Sequence, residues 1–458
     1  MWYYIIFHVK LSAESILAVL QSNINESIEF LSTYTNIHSL ILYIFVLALI
    51  YIILYILILE CFKISLDDIH IGKLKIVIFF VIFSSLFVLL PKIYFYANFN
   101  RAVSLQNDLQ MFEFYKLKRI QSMNENCSDK IKSFNNNFAL VIGETHNRSH
   151  MASFGYERQT TPWLSEKISS GEVILLKNSF SCAAQTQPAL ELALSEQNQY
   201  NGLNIHDAMN IVEMAKHAGF KVIWISNQQN DTIAGRIASE ADKVYWINNT
   251  NNDTYLTQKN NLFDINIYKK LNELSVEKTK TLYIIHLLGS HARYDCRYPN
   301  DFNKWDGNSY INSYDNSVLY NDFVMSRIHD VLFNRLNVAG MVYFADHGEE
   351  LNKYFCHGTD FFLSHYKNNE YVKDIIKVPI YFSFTKKYSS SNQRKLNNLY
   401  LNKDKYFTND MIYDTMLGIM GIEECHYNNI YDLTSNSYKM NLENVKTIGG
   451  KVKIKECL

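Results

Sequence analysis

Six short apolar runs, each closing on a polar turn, constrain this chain more than any other feature. They are Ala139–Ile142, Glu172–Leu176, Phe220–Ile225, Thr281–Ile285, Met341–Phe344 and Val378–Phe382. Each is too short for an ordinary helix and too continuously apolar for a sheet with one wet face, so they read as strands buried on both sides. Helical or irregular segments separate them, one ending at Lys216-His217-Ala218-Gly219. This alternation predicts an α/β fold with a mostly parallel sheet and helices on both faces. In such a sheet the ligand crevice lies at the carboxyl ends of the strands, so the residues just past each run are where chemistry is sought.

Those residues are of a consistent kind. The first run breaks at Gly143 into Glu144, Thr145, His146 and, further on, His150; the fourth is followed by His286 and Gly289-Ser290-His291. The fifth enters Ala345-Asp346-His347-Gly348-Glu349, with His357-Gly358 beyond. Carboxylates and imidazoles mixed at one crevice suit zinc, and an open coordination position suits catalysis. Thr145, beside an acid, reads either as a nucleophile or as a helix cap. A second hydroxyl stands in Ser181-Cys182-Ala183-Ala184-Gln185-Thr186-Gln187-Pro188, between a strand and a helix expected to begin near Pro188. There Thr186 either caps the helix or acts as a nucleophile favoured by the helix N-terminus and a metal.

The first hundred residues are different. Leu40–Leu59 is a run of twenty uncharged residues, the length that spans hydrocarbon. A second run, Ile76–Leu90, reaches membrane length through Tyr96 if Lys92 snorkels. The expected organisation is a membrane domain over 1–97, with spans at about 39–60 and 76–96 and surface helices over 10–31, then an interfacial helix and linker over 98–137, then a catalytic domain over 138–458. Met1–Lys10 lacks the basic start of a signal peptide, and no small-residue cleavage site follows. A formal net charge of −1 without a basic stripe argues against nucleic acid. Six of the seven cysteines lie past the apolar runs, enough for up to three disulfides or for reduced, buried thiols, and no CxxC pair marks a thiolate zinc cluster.

Taken together, Gly143-Glu144-Thr145, Gly155-Tyr156-Glu157-Arg158-Gln159-Thr160-Thr161-Pro162, Ser181-Cys182 with Thr186, Gly289-Ser290-His291, Asp346-His347-Gly348-Glu349 and His357-Gly358 resemble the phosphoethanolamine transferases of the alkaline phosphatase superfamily, over about Phe138 to Gly421. The resemblance implies a sulfatase-like periplasmic domain on a multi-pass anchor in the bacterial inner membrane. It implies zinc, one ion or two, with Glu144, Thr186, Asp346 and His347 as ligands, Thr186 as the nucleophile, and His291 and His357 on the phosphate side. The implied donor is phosphatidylethanolamine and the implied acceptor lipopolysaccharide or lipooligosaccharide. Glu144–Met151 and Trp224–Gln228 look closer to members acting on inner-core heptose than to those acting on lipid A.

Family members also place an Asn, a Thr and a Glu at four-residue steps in a loop meeting the donor headgroup. Here the steps read Ala18, Ser22 and Glu26, so Ser22 and Glu26 are the expected donor contacts, with His291 and His357. The family's five spans exceed the two found, which implies a start assigned too late or a shortened chain. The remaining expectations are a phosphodiesterase or sulfatase-like hydrolase, although the run after Cys182 lacks the Cys-x-Pro-x-Arg context of sulfatases, and a degenerate, non-catalytic homologue.

Overall fold

The computed structural model describes residues 131–228, 232–248, 263–307, 309–351 and 369–458, a helical run over 114–125, and a few single residues before and just after that run. The chain divides into two compact units, Met1–Asp108 and Leu109–Leu458. Both predicted spans, the surface helices with Ser22 and Glu26, and His357 lie outside the described residues. Among the described residues no helix is long and apolar enough to cross a membrane.

Among the described residues of the second unit, nine of the eleven strands frame the site: β1 (Asn137–Gly143), β2 (Val173–Leu175), β3 (Ser179–Phe180), β4 (Lys221–Ser226), β5 (Lys243–Trp246), β6 (Thr281–His286), β7 (Val338–Ala345), β8 (Ile380–Phe384) and β9 (Phe407–Thr408). Seven of them form one sheet in the order β2-β8-β7-β1-β6-β4-β5. The pairs from β7 through β5 are parallel, and β8 alone runs against its neighbours. The expected mostly parallel α/β sheet is therefore present, and all six predicted runs are strands in it. β5 was not among them, because Lys243-Val244-Tyr245-Trp246 is a half-exposed edge without the continuous apolar signature.

The central strands are buried on both faces, Phe138 to Ile142 completely. Six helices matter for the site: α1 (Pro162–Ser169), α2 (Thr186–Ala193), α3 (Ile211–His217), α4 (Ile233–Ser239), α5 (Ile265–Glu273) and α6 (Tyr310–Asp330). Leu164 of α1, Leu271 of α5 and Val318 and Ile328 of α6 share one core with Val141, Tyr283 and Met341 of the sheet. α3 begins on a capping box in which Asn210 accepts the Val212 and Glu213 amides while Glu213 reaches back to Asn210. Glu213 also receives Arg119, fully buried, at 3.0 Å, which docks the helical run over 114–125 onto α3.

The C-terminal stretch after Ile422, polar and uninformative in sequence, is ordered around buried Leu433, Tyr438, Val445 and Ile454. Cys127 and Cys425 form a disulfide that ties the linker to this stretch, while Cys182, Cys296 and Cys457 are reduced and buried. Among the described residues one of the three conceivable bridges is thus present.

Candidate active site

Strand register assembles the site. Gly143 of β1 stands opposite Ala345 of β7, and Ile142 opposite His286 of β6. Glu144 and Asp346, each the next residue, leave the sheet side by side, and both are completely buried. His347 follows, and single ligand atoms of Glu144, Asp346 and His347 all lie within 4.8 Å of one another.

The bonds inside this group leave lone pairs aimed at one point. His347 Nδ1 lies 2.7 Å from the Gly348 carbonyl, which can only accept, so Nδ1 donates there and Nε2 is turned to the carboxylates. Nε2 is 3.4 Å from Asp346 Oδ2 and 3.6 Å from Glu144 Oε1. Asp346 Oδ2 has no hydrogen-bond partner although it is buried. Two buried carboxylates converging with an imidazole nitrogen is an arrangement that a cation would stabilise, and the donor set is one that zinc accepts. Glu144, Asp346 and His347 therefore fit a zinc ion.

Thr186 completes the group. It is the first residue of α2, whose N-cap is Gln185, and no side chain caps this helix. The helix therefore starts two residues earlier than Pro188 suggested. Its hydroxyl turns away from the backbone, to Glu144 at 3.3 and 3.4 Å and to His347 Nε2 at 3.2 Å. An alkoxide here would sit at the positive end of α2 and next to the cation position.

The cap reading of Thr145 does not hold. Its backbone is left-handed, φ 56°, with its amide on Asp346 Oδ1 at 3.0 Å and its hydroxyl on Glu144 Oε1 at 2.6 Å. It braces both carboxylates, and the short helix that follows is capped by Asn147 instead. His146 and His286 are buried beside the site rather than in it, and burial pushes both down to about 4. His150 donates to Asp315, which also takes Tyr156 and Arg158 and so fixes the Gly155–Pro162 loop. His291 lies half-buried on the loop after β6, outside the three-residue group.

Three buried residues support the site without any pattern that announces them. Gln228 donates to Glu144 Oε2 at 3.3 Å and to the Leu287 carbonyl. Asp264 takes the amides of Leu288 and Gly289, holding that loop against Glu144, whose carbonyl accepts the Ser290 amide. Asn409 joins the Ser181–Cys182 turn to Ala345 and Asp346. None carries a spacing that marks a site, and only the fold gives each its partners.

The parallel sheet, the buried carboxylate–imidazole group and the hydroxyl at a helix start define a sulfatase-type domain. A model of the sulfatase family matches residues 136–422, well over half of the chain, and the chain belongs to that family. Its homologues are phosphoethanolamine transferases. It is 34% identical over 233 residues to phosphoethanolamine transferase EptC of Escherichia coli (strain K12), a match covering 46% of this chain and 39% of the relative. It is 30% identical over 234 residues to phosphoethanolamine transferase EptA of Helicobacter pylori, covering 48% and 43%. The matched stretch thus spans about two fifths of these relatives' own length. The C-terminal periplasmic domain of the Escherichia coli EptC, solved in complex with zinc, superposes with a TM-score of 0.60 at 25% identity, covering 69% of this chain and 90% of that one. The integral membrane protein EptA of Neisseria meningitidis shares the fold, with a TM-score of 0.63 at 19% identity, covering 94% and 83%.

Proposed function

We propose that the chain is a zinc-dependent phosphoethanolamine transferase held in the bacterial inner membrane, with residues 138–458 in the periplasm. The observation that carries the reading is Thr186 Oγ1, in contact with both Glu144 and His347 beside the unpartnered Asp346 oxygen. Glu144, Asp346, His347 and Thr186 would hold the ion. When bound, zinc lowers the pKa of the hydroxyl and offsets charge on the transferring group.

The chain's own residues do the rest. Thr186 Oγ attacks the phosphorus of phosphatidylethanolamine; an O–P bond forms to the threonine and the bond to diacylglycerol breaks. The threonine gives up a proton and the diacylglycerol oxygen takes one. An acceptor hydroxyl then attacks the same phosphorus; the acceptor O–P bond forms, the Thr186 O–P bond breaks, and the proton the acceptor loses is balanced by the one the Thr186 oxygen regains. His291 and His357 stabilise charge on the phosphoryl group in both steps. Ser22 and Glu26 contact the donor headgroup. The acceptor is lipopolysaccharide or lipooligosaccharide, at inner-core heptose.

Incubation with phosphatidylethanolamine tests the first step. The peptide containing Thr186 should gain one phosphoethanolamine, and Thr186→Ala should gain none. An adduct on another peptide rules the assignment out, and release of free phosphoethanolamine without an adduct favours a hydrolase. Mass spectrometry of lipopolysaccharide from a deletion strain should show the group missing from heptose; its loss from lipid A would reassign the acceptor.

A further inference from the structure

Asn409 lies where the two halves of the site meet. It follows β9, which pairs with β3 just before the Ser181–Cys182 turn. Its side chain is completely buried and fully used. Nδ2 donates to the Asp346 carbonyl at 2.7 Å, to the Ala345 carbonyl at 3.1 Å and to Ser181 Oγ at 3.3 Å, while Oδ1 accepts the Cys182 amide at 2.8 Å. One planar amide thus bonds to the backbone carrying Asp346 and His347 and to the turn that leads into Thr186. Ser181 Oγ also donates to the Asp346 carbonyl, so the two segments are joined directly as well as through Asn409.

We propose that Asn409 is the positioning residue that sets the distance between the Thr186 hydroxyl and the Asp346–His347 pair. The inference rests on the transferase reading above. It follows from how little tolerance an attacking oxygen has: a displacement of about 1 Å costs on the order of a hundredfold in rate. Removing the amide takes a partner from the Ala345 carbonyl and the Cys182 amide and leaves the Asp346 carbonyl with Ser181 Oγ alone, so the turn can shift. Substrate contacts are untouched, so the loss falls on the chemical step and not on donor binding.

The test uses the full chain in detergent with phosphatidylethanolamine in mixed micelles, following adduct formation on the Thr186 peptide over time. Asn409→Ala should slow that step at least tenfold with the donor KM within twofold. Asn409→Ser, which keeps one hydroxyl donor, should fall between, and it carries the test if the alanine variant does not fold. Asn402→Ala is the matched control, because Asn402 is also buried and caps two carbonyls, those of Leu433 and Ser435, away from the site. It should lower the melting temperature comparably and leave the adduct rate near wild type. Adduct formation by Asn409→Ala within twofold of wild type, or an equal slowing in Asn402→Ala, overturns the inference. A wild-type protein that takes up no phosphoethanolamine on Thr186 overturns the transferase reading, and the inference with it.

Discussion

Thr186 Oγ1 stands 3.2 Å from Nε2 of His347, although 161 residues separate them in the chain. Neither is held there by its own segment. Thr186 is placed by the start of α2 and His347 by the end of β7, so the pair reports how accurately two unrelated elements dock. Its consequences can be tested through the acids around it.

Glu144 and Asp346 are two completely buried carboxylates a few ångströms apart, which is destabilising until a cation joins them. Asp346→Asn should therefore stabilise the metal-free protein by about 1–2 kcal/mol, the size of relieving one unpaired buried charge. Zinc at a thousandfold excess over its Kd should stabilise wild type by about 4 kcal/mol and the variant far less. Thermal denaturation with and without a chelator reads both effects, and an equal zinc response in the two proteins contradicts the ligand assignment.

Gly289 has φ +56°, and a Cβ added there would lie 2.5 Å from the Glu144 carbonyl oxygen. Gly289→Ala should cost about 2 kcal/mol or more in urea unfolding and weaken zinc binding, since the backbone that must give carries a ligand. Gly171→Ala is the comparison: φ is +75° but nothing lies within 4 Å, so only the conformational cost of about 1 kcal/mol remains. Equal losses at the two positions would show that contact with Glu144 is unimportant.

The Cys127–Cys425 bridge spans 298 positions and joins the linker to the C-terminal stretch. By chain entropy a closure of that length contributes up to about 6 kcal/mol. The double variant Cys127→Ser, Cys425→Ser should lower the denaturation midpoint as much as reductant lowers that of wild type, with no further effect of reductant on the variant. A continued reductant response in the variant would implicate other cysteines.

His329 is packed against Phe333 and Trp163, with Nε2 at 2.9 Å from Ser383 Oγ. Burial, and to a smaller degree Lys167, pushes its imidazole down to about 4. The unfolded chain, near 6.5, binds the proton more readily, so the stability is fully present above pH 6.5 and is lost as pH falls toward 4. By pH 5 the loss is about 2 kcal/mol. His329→Gln should flatten that part of the pH profile by this amount, as read from urea midpoints at pH 7.5 and 5; a parallel profile would place the proton uptake elsewhere.

Much of this was legible in the sequence because strands buried on both faces leave a continuous apolar signature, and because chemistry in such a sheet collects at strand ends. Glu144, Asp346 and His347 follow directly from that rule. Thr186 does not, since a threonine before a helix is ordinarily a cap; its hydroxyl is diverted because a carboxylate and an imidazole from other strands are within reach. Asn409 and Asp264 were invisible for the same reason, and Gln228, although inside the Trp224–Gln228 segment, gave no hint of its bond to Glu144: one amide or acid has no periodicity, and its partners lie far along the chain. The C-terminal stretch carried no signal because its buried residues, such as Leu433 and Val445, are spaced by turns rather than by helix or strand periods.

That stretch also reaches the candidate site. Thr447 Oγ1 donates to the Ser181 carbonyl, and the Gly449 amide to that of Cys182, so both grip the turn that leads into Thr186. These two bonds act as a latch: without them every acid, imidazole and hydroxyl of the site remains, yet the turn before Thr186 loses two of the bonds that hold it in place.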